Sequence, residues 1–155
     1  MTRVAIDRSM RCLRRAALIA MSLLPAACVG VLAPPPSNPF AGAWTTPDRA
    51  QVDFNDSTVL LGQVGEQPTA MSPQTCDGKF VFAYGEKPRD VLLGLTPRQP
   101  DLQRRLSGLL VQPQYPVAEV NCGDGYSAYV LVDPQNIVVV HRDGDTAGLE
   151  RLTRS

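Results

Sequence analysis

Histidine occurs once in these 155 residues, at His141, and tryptophan once, at Trp44. A single imidazole leaves every general-base or metal-ligand argument one route, through His141. The four cysteines include no Cys-x-x-Cys pair, so neither a redox dithiol nor a zinc-binding set is spaced in the chain. No phosphate-cradling glycine loop and no Gly-x-Ser-x-Gly nucleophile turn occurs. Asp143-Gly144-Asp145 opens like a calcium loop, but the register fails at Ala147 and at Arg154, where ligands should stand. No metal and no cofactor is expected. Long hydrophobic runs are also missing: Ala16 to Leu24 falls well short of the roughly 20 residues a membrane-spanning helix needs. There is no internal repeat and no series of long, even, alternating strands of the transmembrane-barrel kind.

What is present begins with an export signal. Arg11, Arg14 and Arg15 lead into the short apolar run, which closes on Pro25-Ala26-Ala27-Cys28. A positive end, an apolar core and small residues before a cleavage point form the layout of a secretory signal. With Cys28 at its end, the segment resembles the signal of a bacterial cell-envelope lipoprotein. That resemblance implies a signal peptide over residues 1–27 and acylation of Cys28, palmitate included. Val29, which is not the aspartate of inner-membrane retention, implies an outer-membrane protein facing the periplasm. Pro25 holds the place three before the cysteine, and Leu24 stands one position early. Two other readings stay open: a cut after Gly30 with release to the periplasm or medium, and an uncleaved buried helix. Met10 is an alternative start that gives a more compact signal.

Residues 1–27 hold five arginines and one acid, so 10 basic and 14 acidic side chains remain beyond them, a formal charge of −4. An acidic domain without a basic run lacks the electrostatic footprint of a nucleic-acid binder. Any hold on a membrane is expected to come through the acyl chains. Cys76 and Cys122 are the two thiols left, and in an oxidising compartment they are expected to pair. Such a loop of 46 residues is worth about 4 kcal/mol on the chain-entropy account. A reactive Cys122 in the turn Asn121 to Gly125 is the alternative.

Residues 28–40 carry the lipidation candidate and then Pro34, Pro35, Pro36 and Pro39, which hold a chain extended and make a semi-rigid tether. Residues 41–155 are expected to be one β-rich envelope domain. Short apolar runs cut by turn residues predict strands around Trp44, at Val52–Phe54, at Thr58–Leu61 and at Lys79–Tyr84. Val91–Leu95 reads either as a strand or as the opening of a helix. Leu102, Leu106 and Leu109 recur at helical spacing after Pro97 and Pro100, predicting one covering helix near 97–109 that stops at Gly108. Val117–Cys122, Tyr126–Val132 and Ile137–Arg142 predict consecutive antiparallel strands, and Leu149–Thr153 a last one. Around the turn Asp133-Pro134-Gln135-Asn136, regular pairing sets Val132 against Ile137, Val130 against Val139 and Ala128 against His141. Both faces of this hairpin are apolar, so it is buried on two sides. The fold class is mainly β, bordering on α+β: a single antiparallel sheet or small barrel with one covering helix.

Chemistry has few places to sit. His141 shares a side of its strand with Asp143, and Ser127 lies near on the neighbouring strand, yet no motif supports a nucleophile. A non-enzymatic role is expected. Trp44, Asp124 and His141 are the candidate interaction residues. Gly42-Ala43-Trp44 resembles the Gly-x-Trp opening of lipocalin-type barrels, and of bacterial protease inhibitors of that shape, over about three residues. The mid-chain helix departs from the lipocalin order, and a tryptophan plugging one end of the core is the simpler role. The expected function is a small exported lipoprotein that binds an envelope protein or polymer, or serves as a structural module there. An inhibitor of an envelope or extracellular hydrolase, presenting Gly123-Asp124-Gly125, is the alternative, ahead of an apolar-ligand carrier or an enzyme.

Overall fold

Alternating apolar residues, punctuated by glycine, proline and Asx turns, give this chain nine strands in the computed structural model, which describes residues 38–155. The signal-like segment, Cys28 and nearly all of the tether lie outside the described residues. The strands are β1 (Gly42–Thr45), β2 (Ala50–Phe54), β3 (Val59–Gln63), β4 (Thr69–Ala70) and β5 (Phe80–Pro88). Two short helices follow, α1 (Arg89–Leu93) and α2 (Pro100–Leu109). The chain ends in a four-strand meander: β6 (Gln114–Cys122), β7 (Gly125–Asp133), β8 (Asn136–Asp143) and β9 (Thr146–Arg154). All pair antiparallel in one sheet of order β4-β3-β2-β1-β9-β8-β7-β6-β5. β1 beside β9 is the seam that joins the early hairpins to the meander. The mainly β class and the single antiparallel sheet are as the apolar runs led us to expect, and the sheet curls into a half-barrel.

Curling creates two unlike faces. Phe54 on β2 meets Tyr129 on β7 edge to face, their rings 5.0 Å apart, although three strands separate β2 and β7 in the sheet. That contact is possible only across a concavity, so Trp44, Val52, Phe54, Val59, Val120, Tyr129, Ile137, Val139 and Leu152 form the inner core. Phe40 enters it just ahead of β1 and stacks on Tyr84 of β5. On the outer face, Leu92 of α1, Leu106 of α2 and Leu110 cover Val117, Ala128, Val130, Val138 and Val140. Each of these fully buried leucines contributes about 1.5–3 kcal/mol by leaving water. The meander is therefore covered on both sides.

The helical region differs in detail from the sequence expectation. The helix begins at Pro100, where proline suits the first turn, and runs through Gly108. Leu106 is buried, but Leu109 is exposed and Leu110 takes the buried place. The chain leaves helical geometry at Leu110, whose extended backbone swings its side chain inward. Val91–Leu95 resolves to the helical alternative, since Arg89–Leu93 forms α1.

The β7–β8 register is a correction. Asp133 does face Asn136 and accepts hydrogen bonds from Gln135 N–H and Asn136 Nδ2, both at 2.8 Å. Beyond the turn Val132 is bulged out of the ladder, so Leu131 faces Ile137, Val130 faces Val138 and Tyr129 faces Val139. Ser127, and not Ala128, stands opposite His141. The reason lies in Pro134. Its ring fixes a negative φ and forbids the primed two-residue turns whose twist matches a hairpin. A bulge then supplies the missing right-handed twist.

Candidate functional site

The one-residue slip at Val132 assembles a polar row on the inner face, at the end of the half-barrel where the meander opens. Ser127 of β7, His141 of β8 and Glu150 of β9 sit on successive strands. Ser127 Oγ lies 3.0 Å from His141 Nδ1, and His141 Nε2 lies 3.1 Å from Glu150 Oε2. A carboxylate accepts only, so Nε2 carries a proton, and in the neutral ring Nδ1 is left as an acceptor to which the serine hydroxyl donates. Asp143 is not the orienting acid. It sits two residues along β8, opposite Gly125, while Glu150 holds the ring from the next strand.

The surroundings of this row are asymmetric. Below it lie Val120, which faces Ser127 from β6, then Tyr129 and Val139, all buried. Burial, and then the negative charge of Glu150, push the Tyr129 hydroxyl up to about 12. Above it, His141 keeps 44% of its side chain exposed and Glu150 38%. A groove of about 550 Å³ opens there, lined by the Cys122–Gly125 turn, Ser127, His141 and the residues around Thr146.

The turn at the rim is firmly held. Cys122 is joined to Cys76 by a disulfide, as cysteine counting led us to expect. Gly123 adopts a φ of +61°, a left-handed conformation that glycine takes without strain, and its N–H donates to the Lys79 carbonyl at 2.9 Å. Asp124 points outward, 90% exposed, with Lys79 Nζ 3.1 Å from its carboxylate.

The other candidate residues are placed differently. Trp44 is fully buried, its Nε1 donating to the Phe40 carbonyl at 2.8 Å, and the Arg154 guanidinium stacks over its ring at 4.2 Å. It plugs the inner core and offers no face to a partner. The half-barrel interior is filled by its own side chains; a shallow apolar cleft of about 400 Å³ lies beside Phe40, Tyr84 and Pro116. Among the described residues no group of three or more His, Cys, Asp and Glu is arranged to hold a metal ion. None of their helices is long and apolar enough to cross a membrane.

Sequence reasoning missed Glu150 altogether and left Ser127 without a partner. The signal that would have found the partner of Ser127 is Pro134, which demands the bulge and so sets the β7–β8 register. No family model, no curated protein and no solved structure matches this chain.

Proposed function

We propose that this chain is an exported binding module of the bacterial cell envelope, held through an acylated Cys28 at the outer membrane and facing the periplasm. The observation that carries the binding role is the groove over His141, bordered by a turn that a disulfide and a backbone hydrogen bond hold rigid. A preorganised turn loses little conformational freedom when a partner docks, which favours affinity. The disulfide also supports an oxidising compartment, in keeping with the signal-like segment before Cys28. The partner is an envelope protein or polymer, since an acidic domain without a basic run lacks the electrostatic footprint of a nucleic-acid binder.

Two measurements test this reading. Cys28→Ser should move the protein from the membrane fraction to the soluble envelope fraction, because the acyl chains are the anchor. An unmodified N-terminus at Val31 in the native protein overturns the anchor. For binding, a photo-crosslinking residue at Asp124 should give a discrete adduct in intact cells, while the same residue at Val111, exposed near the far end of α2, should give none. Equal behaviour at the two positions rejects the turn and groove as the binding surface.

A second reading is favoured by the same turn. A rigid loop with an outward carboxylate also suits insertion into the cleft of an envelope or extracellular hydrolase. In that case the adduct at Asp124 contains a hydrolase, and adding the purified domain lowers its activity.

A further inference from the structure

We propose that Ser127 is an activated nucleophile, with His141 as its general base and Glu150 as the residue that positions the base, and that it accepts the acyl group of an ester entering the groove. The inference goes beyond the binding role, stands whether or not the chain is anchored, and reverses the expectation of a non-enzymatic domain.

Three strands deliver the parts. Ser127 and His141 are a directly opposed cross-strand pair, so their separation is set by the ladder and not by a flexible loop. Their 3.0 Å contact is within the range over which a base takes a hydroxyl proton. Glu150 lies on the far side of the ring at 3.1 Å, where it fixes the tautomer that leaves Nδ1 free to accept. Its charge also favours the imidazolium that forms when Ser127 gives up its proton. The buried Val120, Tyr129 and Val139 close the row on its inner side, while the groove admits a substrate from the other. A serine hydroxyl alone is a poor nucleophile, and an adjacent base held by a third group is what activates it.

The step balances as written. Ser127 Oγ bonds to the acyl carbon while its proton passes to His141 Nδ1. The carbon–oxygen bond to the leaving alkoxide then breaks, and that alkoxide takes the proton from Nδ1. The products are an acylated Ser127 and an alcohol.

The test uses the folded domain and a fluorophosphonate probe, which reports the same activation. Ser127 Oγ attacks phosphorus, fluoride leaves with the bonding pair, and the proton goes to His141. Intact mass and peptide mapping should show a single adduct, on Ser127, and none in Ser127→Ala. His141→Gln should slow labelling by about 100-fold or more, the usual worth of a positioned base. Glu150→Gln, which keeps a hydrogen-bonding side chain but loses the charge, should also slow labelling with the melting temperature unchanged. A merely structural Glu150 would not move that rate. His141→Asn serves as the second base-less variant should His141→Gln fold poorly. No adduct on Ser127, an adduct elsewhere only, or equal rates in native and His141 variants would each overturn the proposal.

Discussion

The Tyr84 hydroxyl of β5 donates to the main-chain carbonyl of Asn55, 2.5 Å away in the turn after β2. β5 is one edge of the sheet and β2 lies near the other, so this bond spans the mouth of the half-barrel where no ladder closes it. Phe40, stacked on the Tyr84 ring at 5.5 Å between centroids, fills the space beneath. Tyr84→Phe keeps the ring and removes the bond, and should cost about 1 kcal/mol. Tyr84→Ala removes both and should cost more. Urea denaturation checks this: the midpoint should fall in both variants, with the slope unchanged in Tyr84→Phe.

The second closure is covalent. Cys76 belongs to the segment between β4 and β5, and Cys122 ends β6, so the disulfide ties that crossing segment to the meander across 46 residues. Cys122→Ser should cost about 2–5 kcal/mol, as loss of a native disulfide does in small exported domains. In the native protein both sulfurs should resist thiol reagents and become labelled only after reduction. Free thiol at Cys122 in protein taken from the envelope would reject the pairing.

Alkaline pH should unfold the domain earlier than its charge alone suggests. Burial pushes the Tyr129 hydroxyl up to about 12, and burial with the Glu119 hydrogen bond pushes Tyr126 up as well, from an ordinary value of 10.0. A folded-state value above the unfolded one means the unfolded chain releases its phenolic protons first. The associated stability is whole below pH 10 and drains away as pH rises toward 12. Tyr129→Phe should flatten this loss. Melting temperatures between pH 9 and 12 measure it, and equal slopes in the two proteins would contradict the assignment.

Deletion of Val132 should be tolerated. It removes the bulged residue and leaves Leu131 opposite Ile137 and Ser127 opposite His141, so every other side chain keeps its face. The cost should be about 2–3 kcal/mol, for one partly buried valine together with the twist that the bulge supplies beside Pro134. Deletion of Ala128 is the contrast. A regular ladder then forms only by turning Tyr129, Val130, Leu131 and Val132 to opposite faces, and one slipped residue inverts a strand. Circular dichroism and solubility should separate a folded Val132 deletion from an aggregating Ala128 deletion.

Much of this architecture was legible in the residues. The meander strands show themselves because each is a dense apolar run between turn residues, and the disulfide follows from two thiols left to pair. The Tyr126–Val132 and Ile137–Arg142 runs are apolar on both faces, so periodicity identifies them as strands but says little about which face is which. Register then depends on turn geometry, and regular pairing from Asp133-Asn136 puts Ala128 where Ser127 belongs. The polar row was hidden for that reason. Glu150 was invisible for another: its neighbours on β9 alternate like any amphipathic strand, and only the β8–β9 ladder brings it to His141. Leu109 and Leu110 show the limit of helical spacing, since the buried position follows the end of the helix and not its period.

Arg154 gives the domain a defined way to carry load. Its guanidinium donates to the carbonyls of Pro39, Ala41 and Pro134 at 2.8, 2.7 and 3.0 Å while lying over the Trp44 ring. Tension applied to the chain ahead of Asn38 therefore reaches this clasp first. From there it passes into β1 and β9, which lie in the middle of the sheet. A domain pulled from its N-terminal side is thus gripped through the centre of its sheet, with Trp44 as the bolt.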